Sequence, residues 1–224
     1  MKLYFHPAST TSRIVQLFAI DQGIDLEYAL VNLFTGEHMQ DEFRSVNPSG
    51  LVPVLEDGDF RLSESSAIIK YLADKVGSPS YPKDLKVRAR VNELMDWFNS
   101  NFYKDIGYGL AYPQMFPNHK RDNDTVQAAI LAWGKEKTEN WLKILDEKLI
   151  GPNKKYLCGD QITLADYLGI EMVLIGELIR CDFARYPNID RWINNMKSIQ
   201  CWDKVHEVFD GFKASLKDKE FVAV

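Results

Sequence analysis

Hydrophobic positions recur along the chain with two different periods, and the change comes near residue 77. Before it, short alternating runs interleave with helical ones. Lys2–Phe5 reads as a strand. Ser12–Gln22 sets Ile14, Val15, Leu17, Phe18 and Ile20 at helical spacing, with Gly23 as a C-terminal stop. Leu26–Val31 alternates like a strand. In "VPVLEDGDFRL" two short runs meet at Asp57-Gly58, a dipeptide suited to the left-handed conformations of a hairpin turn. "SESSAIIKYLADK" then opens a helix, with Ser63 as the expected N-cap and Ile68, Ile69 and Leu72 on the inner stripe. The order β-α-β-(α)-β-β-α predicts a mixed four-stranded sheet with helices packed on it. The βαβ part pairs in parallel and the hairpin adds antiparallel strands.

"VGSPSYPKD" reads as a linker by its Gly, Ser and Pro content. Beyond it the alternating period disappears. Leu85–Phe102, Thr125–Leu149, Thr163–Ile179, Ile189–Met196 and Cys201–Leu216 are helical in pattern. The organisation expected is therefore an α/β domain over residues 1–77, a linker over 78–83 and an all-α helical-bundle domain over 84–224. One local signal is sharp. "GDQITLAD" carries Thr163 and Asp166 in the S/T-x-x-D spacing of a capping box, with Ile162 and Tyr167 placed as a hydrophobic staple. That reading assigns Asp166 to helix nucleation, not to chemistry.

Composition narrows the function classes. A net charge of −5 excludes a nucleic-acid binder as the default, because phosphate contacts need a basic face. No apolar run approaches the ~20 residues needed to cross a bilayer, and "MKLYF" begins a strand where a signal peptide needs a long apolar region. A cytoplasmic protein without membrane association is expected. Cys158, Cys181 and Cys201 are odd in number and form no CxxC or zinc pattern, so reduced, mostly buried thiols and no metal are expected.

Three stretches could carry chemistry. In "HPASTTSR" a strand ends, four hydroxyls follow, and a helix begins. The stretch holds no thiol, and a serine nucleophile needs a base within reach. It suits either a plain N-cap or a hydroxyl that donates to a thiolate brought by a ligand. Val52-Pro53 follows "NPSG" and begins a strand. A trans proline would simply start that strand, whereas a cis peptide would turn the Val52 N–H and C=O outward for an extended peptide. Glu64 and Ser65 open a helix, where exposed amides and the dipole favour an anion. Ser65 could hold a carboxylate and Glu64 an ammonium group, as an α-amino acid end would require. The alternative is that Ser63 caps the helix and Glu64 offsets its dipole. A small peptide thiol would satisfy all three sites.

These residues resemble the cytosolic glutathione transferases over essentially the whole chain. The matches are "PASTTSR", "TGEHMQDEFRSVNPSGLVPVLEDGDFRLSESSAIIKYLAD" and "LCGDQITLADY". They are most similar to the serine-type theta-like branch, including delta and bacterial theta-like members. The resemblance implies a thioredoxin-like N-terminal domain, an all-α C-terminal domain, a homodimer, and glutathione as co-substrate. It implies Ser9 as the hydroxyl that hydrogen-bonds the sulfur. Pro53 matches the family's cis-proline and Val52 the residue that pairs with the cysteinyl backbone. Glu64 and Ser65 match the pair at the γ-glutamyl end, and His38 a histidine near the glycyl carboxylate. Thr10 stands where the beta branch has cysteine, which argues against mixed-disulfide chemistry.

Two positions depart from the pattern. Gly50 and Leu51 replace a basic or polar residue before Val-Pro, and Ser66 replaces an Arg frequent after E-S. Leu51 nonetheless belongs to the expected glutathione-binding set. An electrophile pocket is expected between the domains, drawn from Phe102, Tyr103, Tyr108, Tyr112, Met115 and Phe116, with Tyr108, Tyr112 and Met115 first. Asn92 and Asp96 could face a dimer axis. The activity implied is attack by a glutathione thiolate on small hydrophobic electrophiles. The alternatives are dehalogenation, isomerisation or peroxide reduction by the same thiolate, or a non-catalytic binding or regulatory role.

Overall fold

The computed structural model describes residues Met1–Val224. Internal contacts divide it into two units, Met1–Pro82 with Ile199–Phe212, and Lys83–Ser198 with Lys213–Val224.

The first unit is built on four strands, β1 (Lys2–Phe5), β2 (Glu27–Leu30), β3 (Val54–Asp57) and β4 (Phe60–Ser63). Their order is β2-β1-β3-β4. β1 runs parallel to β2 and antiparallel to β3, and β3 and β4 form the expected hairpin. Gly58 sits in its turn with φ of 65°. Side chains alternate across the sheet, so the two central strands, β1 and β3, each serve two cores. Leu3 and Leu55 meet Ile14, Leu17 and Phe18 of α1 (Thr10–Asp21) and Ile68, Ile69 and Leu72 of α3 (Ser65–Val76), all fully buried. Val54 and Tyr4 face the other way, into a cluster with Val31, Phe43, Val46 and Val52; Phe43 comes from the short α2 (Asp41–Arg44).

Two boundaries differ from the pattern-based expectation. The Gly-Ser-Pro stretch is anchored: Ser78, Ser80 and Tyr81 are buried, and the Ser78 hydroxyl donates to Gln22 Oε1 at 2.6 Å. A polar composition here reflects internal hydrogen bonding instead of solvation. The final helix, α10 (Trp202–Ser215), is shared, since Ile199–Phe212 groups with the first unit. Its contacts are non-local, so no period in the sequence reports them.

The second unit is helical. It contains α4 (Leu85–Trp97), α5 (Tyr112–Met115), α6 (Asp124–Ile144), α7 (Leu164–Val173), α8 (Ile175–Leu178) and α9 (Pro187–Lys197). Between α4 and α5 the chain stays helical through Phe98–Phe102 and Lys104–Ala111, but with the wider i→i+5 bonding of a π-helix. Leu145–Ile150 extends α6 in the same way. Two glycines let backbone meet backbone here: a Cβ on Gly134 would lie 2.3 Å from the Gly109 carbonyl oxygen.

The capping box forms as its spacing predicts. Asp166 is fully buried and accepts from the Thr163 and Leu157 amides at 2.8 Å, the Thr163 hydroxyl at 2.9 Å and the Trp192 indole at 3.0 Å. One carboxylate thus ties the start of α7 to the preceding loop and to α9. The three cysteines are free but half-buried, less enclosed than expected. Burial pushes the Cys181 and Cys201 thiols up to about 11, so neither is a reactive thiol near neutral pH. No helix is long and apolar enough to cross a membrane.

Candidate functional site

Sheet register brings the three chemistry-bearing stretches together. Tyr4 pairs with Val54 and Val54 with Ser63. Residues leaving β1, entering β3 and leaving β4 therefore emerge at the same end of the sheet. Those residues are the His6–Ser12 turn, Val52-Pro53 and Glu64-Ser65.

At the first stretch the helix begins two residues earlier than the apolar period indicates, at Thr10. Ser9 itself is the N-cap, and its Oγ accepts from the Ser12 amide at 3.3 Å. The residue that the resemblance implies as sulfur donor is therefore also the cap. The Ser12 hydroxyl is buried and accepts from the His6 amide at 3.3 Å. Thr10 is also buried, whereas Ser9 and Thr11 remain half-exposed. Burial alone therefore reduces four hydroxyls to two that a ligand can reach. His6 is no base for them. Its Nδ1 accepts from the Ala8 amide at 3.1 Å, and burial lowers its pKa, so the ring is a neutral brace of the turn. Arg13, fully buried, closes the turn from below by donating to the Ala8 carbonyl at 2.9 Å, with its guanidinium 4.2 Å from the Phe209 ring.

The second stretch is cis at Val52-Pro53. Asn47, buried, holds the approach to it: its side-chain amide donates to the Leu51 carbonyl at 2.7 Å and its Oδ1 accepts from Ser49 N–H. The Val52 carbonyl is not an empty hook. It accepts from the Thr11 hydroxyl at 3.0 Å. Leu51 is 58% exposed, and its apolar side chain brings no cation to that position.

The third stretch differs from the expected cap. Ser63 ends β4, and Glu64 stands at the N-cap with φ of 67° and ψ of 111°, without a side-chain cap. A non-glycine residue held there is strained, by roughly 1–3 kcal/mol. Its exposed carboxylate stands beside Ser65, which is 6% exposed and opens the 12-residue helix α3. An anion-accepting helix start and a free carboxylate are thus adjacent.

His38 belongs to the same end through Gly50, whose Cβ, if present, would lie 3.0 Å from the His38 carbonyl oxygen. His38 Nδ1 is buried within the protein and has no hydrogen-bond partner. Gly50 has φ of 63°, so both its conformation and this close approach require glycine.

In the second unit, Tyr108 and Tyr112 do come together, with ring centroids 5.2 Å apart. Tyr103 and His119 complete the cluster. The Tyr103 and Tyr112 hydroxyls are 3.1 Å apart, and the His119 ring lies 5.5 Å from Tyr108 and 5.6 Å from Tyr112. Tyr103, Tyr108 and Tyr112 fall five and four residues apart, and the i→i+5 winding puts them on one face. An α-helical wheel separates Tyr103 from the other two, and His119, the member of the cluster absent from the sequence-based candidates, comes from the following turn, Pro117–His119. Met115 is buried and only 9% exposed.

Comparison with known proteins agrees with this geometry. Residues 8–75 match the glutathione S-transferase N-terminal domain family and residues 111–199 the glutathione S-transferase C-terminal domain family. The chain is 33% identical to glutathione S-transferase theta-1 of Homo sapiens, over 99% of this chain and 91% of that protein. A delta-class glutathione transferase structure from Nilaparvata lugens is similar with a TM-score of 0.82 at 33% identity, covering 96% of this chain and 98% of that one. A structure of human glutathione transferase theta-2, solved with glutathione and an unknown ligand, is similar with a TM-score of 0.80 at 29% identity, covering 98% and 91%. With both family domains matched and 33% identity to a theta-class member across nearly the whole of both chains, the chain belongs to the glutathione S-transferase family, in its theta-like branch.

Proposed function

We propose that the sheet end binds glutathione and ionises its thiol for attack on a small hydrophobic electrophile. The observation that carries this is the register of β1, β3 and β4, which gathers a hydroxyl donor, a peptide-pairing backbone and an amino-acid-end site on one rim. Theta-like membership supports conjugation as the activity.

Each residue has a role in this reading. Glu64 takes the γ-glutamyl ammonium, and Ser65 with the first amides of α3 takes its carboxylate. The Val52 N–H and C=O pair with the cysteinyl backbone. Pro53 fixes their direction, the Leu51 side chain covers the peptide, and His38 meets the glycyl carboxylate. Ser9 donates to the sulfur. A free thiol has a pKa of about 8.5, and a shift of two units needs roughly 2.7 kcal/mol of preference for the thiolate. One hydrogen bond to a charged group supplies about 1.5–3 kcal/mol, and the N-terminus of α1 adds to it. The thiol proton goes to solvent. The thiolate then forms the C–S bond as the electrophile's leaving group departs with its electron pair. Tyr108, Tyr112 and Met115 are the proposed electrophile contacts. A homodimer is part of the proposal.

The test is calorimetric titration with glutathione, followed by a panel of aryl halides, epoxides, haloalkanes and hydroperoxides. Saturable binding and turnover of at least one aryl halide are expected. Absence of glutathione binding contradicts the reading, and turnover confined to hydroperoxides or haloalkanes moves it to the corresponding chemistry.

The strain at Glu64 gives a second expectation. Glu64→Gly relieves a positive φ and raises unfolding free energy by about 1 kcal/mol net of glycine's entropy. It also removes the ammonium partner, so glutathione affinity falls by about tenfold or more. Denaturant midpoint and calorimetry read the two opposite changes. A variant that is both less stable and unaltered in affinity contradicts the assignment.

A further inference from the structure

Hydrogen-bond directions in the Ser9 turn are fixed by elimination. The Val52 carbonyl can only accept, so the Thr11 hydroxyl donates to it at 3.0 Å. A hydroxyl has one proton. In the 3.1 Å contact between Ser9 Oγ and Thr11 Oγ1, the donor must therefore be Ser9. Ser9 in turn accepts from the Ser12 amide. The chain runs from Ser12 N–H through Ser9 and Thr11 to the Val52 carbonyl. The proton that Ser9 needs for a thiolate is directed at Thr11, and the carbonyl at the far end is the one a cysteinyl amide would use. A helix cap alone requires neither link.

Resting on the glutathione reading above, we propose that Thr11 is a positioning residue that couples peptide pairing at Val52 to thiol ionisation at Ser9. In this proposal the cysteinyl N–H takes the lone pair of the Val52 carbonyl that Thr11 now uses, and the Thr11 proton turns from that oxygen to the second lone pair of Ser9 Oγ. The Ser9 proton is released to turn toward sulfur, and the thiol proton passes to water. No bond between heavy atoms forms or breaks in this exchange; two hydroxyls rotate and one S–H ionises. Ser9 then accepts two hydrogen bonds while donating one, and accepting strengthens donation along such a chain. A thiol that carries the cysteinyl amide is therefore ionised more strongly than one that lacks it. Thr11 is suited to this by position: it is half-exposed, and it is the hydroxyl of the turn that reaches across 41 residues to the cis-proline loop.

The test compares wild type, Ser9→Ala, Thr11→Val and Thr11→Ser. The readout is the pH dependence of thiolate absorbance with glutathione bound, and with an ester analogue whose cysteinyl N–H is replaced by oxygen. Thr11→Val keeps the shape of threonine and removes its proton. It is expected to lower the ionisation constant of the bound glutathione thiol by about 1.5- to fivefold, with the loss in kcat more than in KM. Thr11→Ser restores it. The ester analogue ionises less than glutathione on wild type, and on Thr11→Val it ionises at least as strongly as on wild type, because no Thr11 oxygen then holds the Ser9 proton. If Ser9→Ala raises the thiol pKa and Thr11→Val does not, the coupling is overturned and the Ser9 assignment stands. If glutathione does not bind wild type, both fall. If Thr11→Val does not fold, equal ionisation of glutathione and the ester on wild type overturns the coupling by itself.

Discussion

Replacing Ser9 with Ala is expected to lower kcat/KM for conjugation by about 10- to 150-fold at neutral pH, the equivalent of losing one hydrogen bond to a charge, about 1.5–3 kcal/mol. The bound thiol should titrate one to two units higher, so activity recovers as pH rises through that value. The sign follows from the ionised form being the one that is stabilised: without its donor, the thiolate needs a higher pH to form. Ser9 is also the N-cap of α1, and Ala at such a position costs about 1 kcal/mol of stability. Ser9→Gly separates the two roles, because glycine caps within a few tenths of a kcal/mol of serine yet has no proton to donate. Both variants should lose activity alike, and only Ala should lose appreciable stability. Activity retained in Ser9→Gly would assign Ser9 to capping alone.

The largest effect on stability is expected in the second unit. Asp166→Ala removes the acceptor of two buried amides, one hydroxyl and one indole. Each donor left without a partner costs about 1–3 kcal/mol, so a loss of at least about 3–5 kcal/mol is expected after relaxation. Against a typical total of 5–15 kcal/mol, that leaves a protein close to its threshold. Asp166→Asn should be nearly as damaging, since at most one of its side-chain atoms accepts and its amide group faces donors. Denaturant midpoints read both. A change within about 0.5 kcal/mol for either variant would mean that the loop, α7 and α9 are held together by other contacts.

Asp166 also shows what a local pattern can report. Its role was readable because the capping box lies within four consecutive residues and needs only S/T-x-x-D before an apolar run. The indole from Trp192 was not readable, being 26 residues away. The same division runs through the site. The four strands, the Asp57-Gly58 turn and the body of α3 follow from alternation, turn chemistry and helical period, and the candidates Ser9, Val52, Pro53, Glu64 and Ser65 follow from the family resemblance. β4 runs on through Ser63, so the cap falls on Glu64 with its positive φ, which neither period nor capping preference reports. The Thr11–Val52 link depends on sheet register. The tyrosine face depends on a π-helical winding that a 3.6-residue period cannot represent.

The central claim is that this turn ionises a thiol which arrives from solution. The direct measurement is the absorbance of the thiolate against pH for glutathione bound to the wild-type protein, with Ser9→Ala alongside. The account predicts an apparent pKa one to two units below the solution value of about 8.5 for wild type, returning toward that value in Ser9→Ala. A bound thiol that titrates at its solution value on the wild type, or that titrates identically on both proteins, would contradict it.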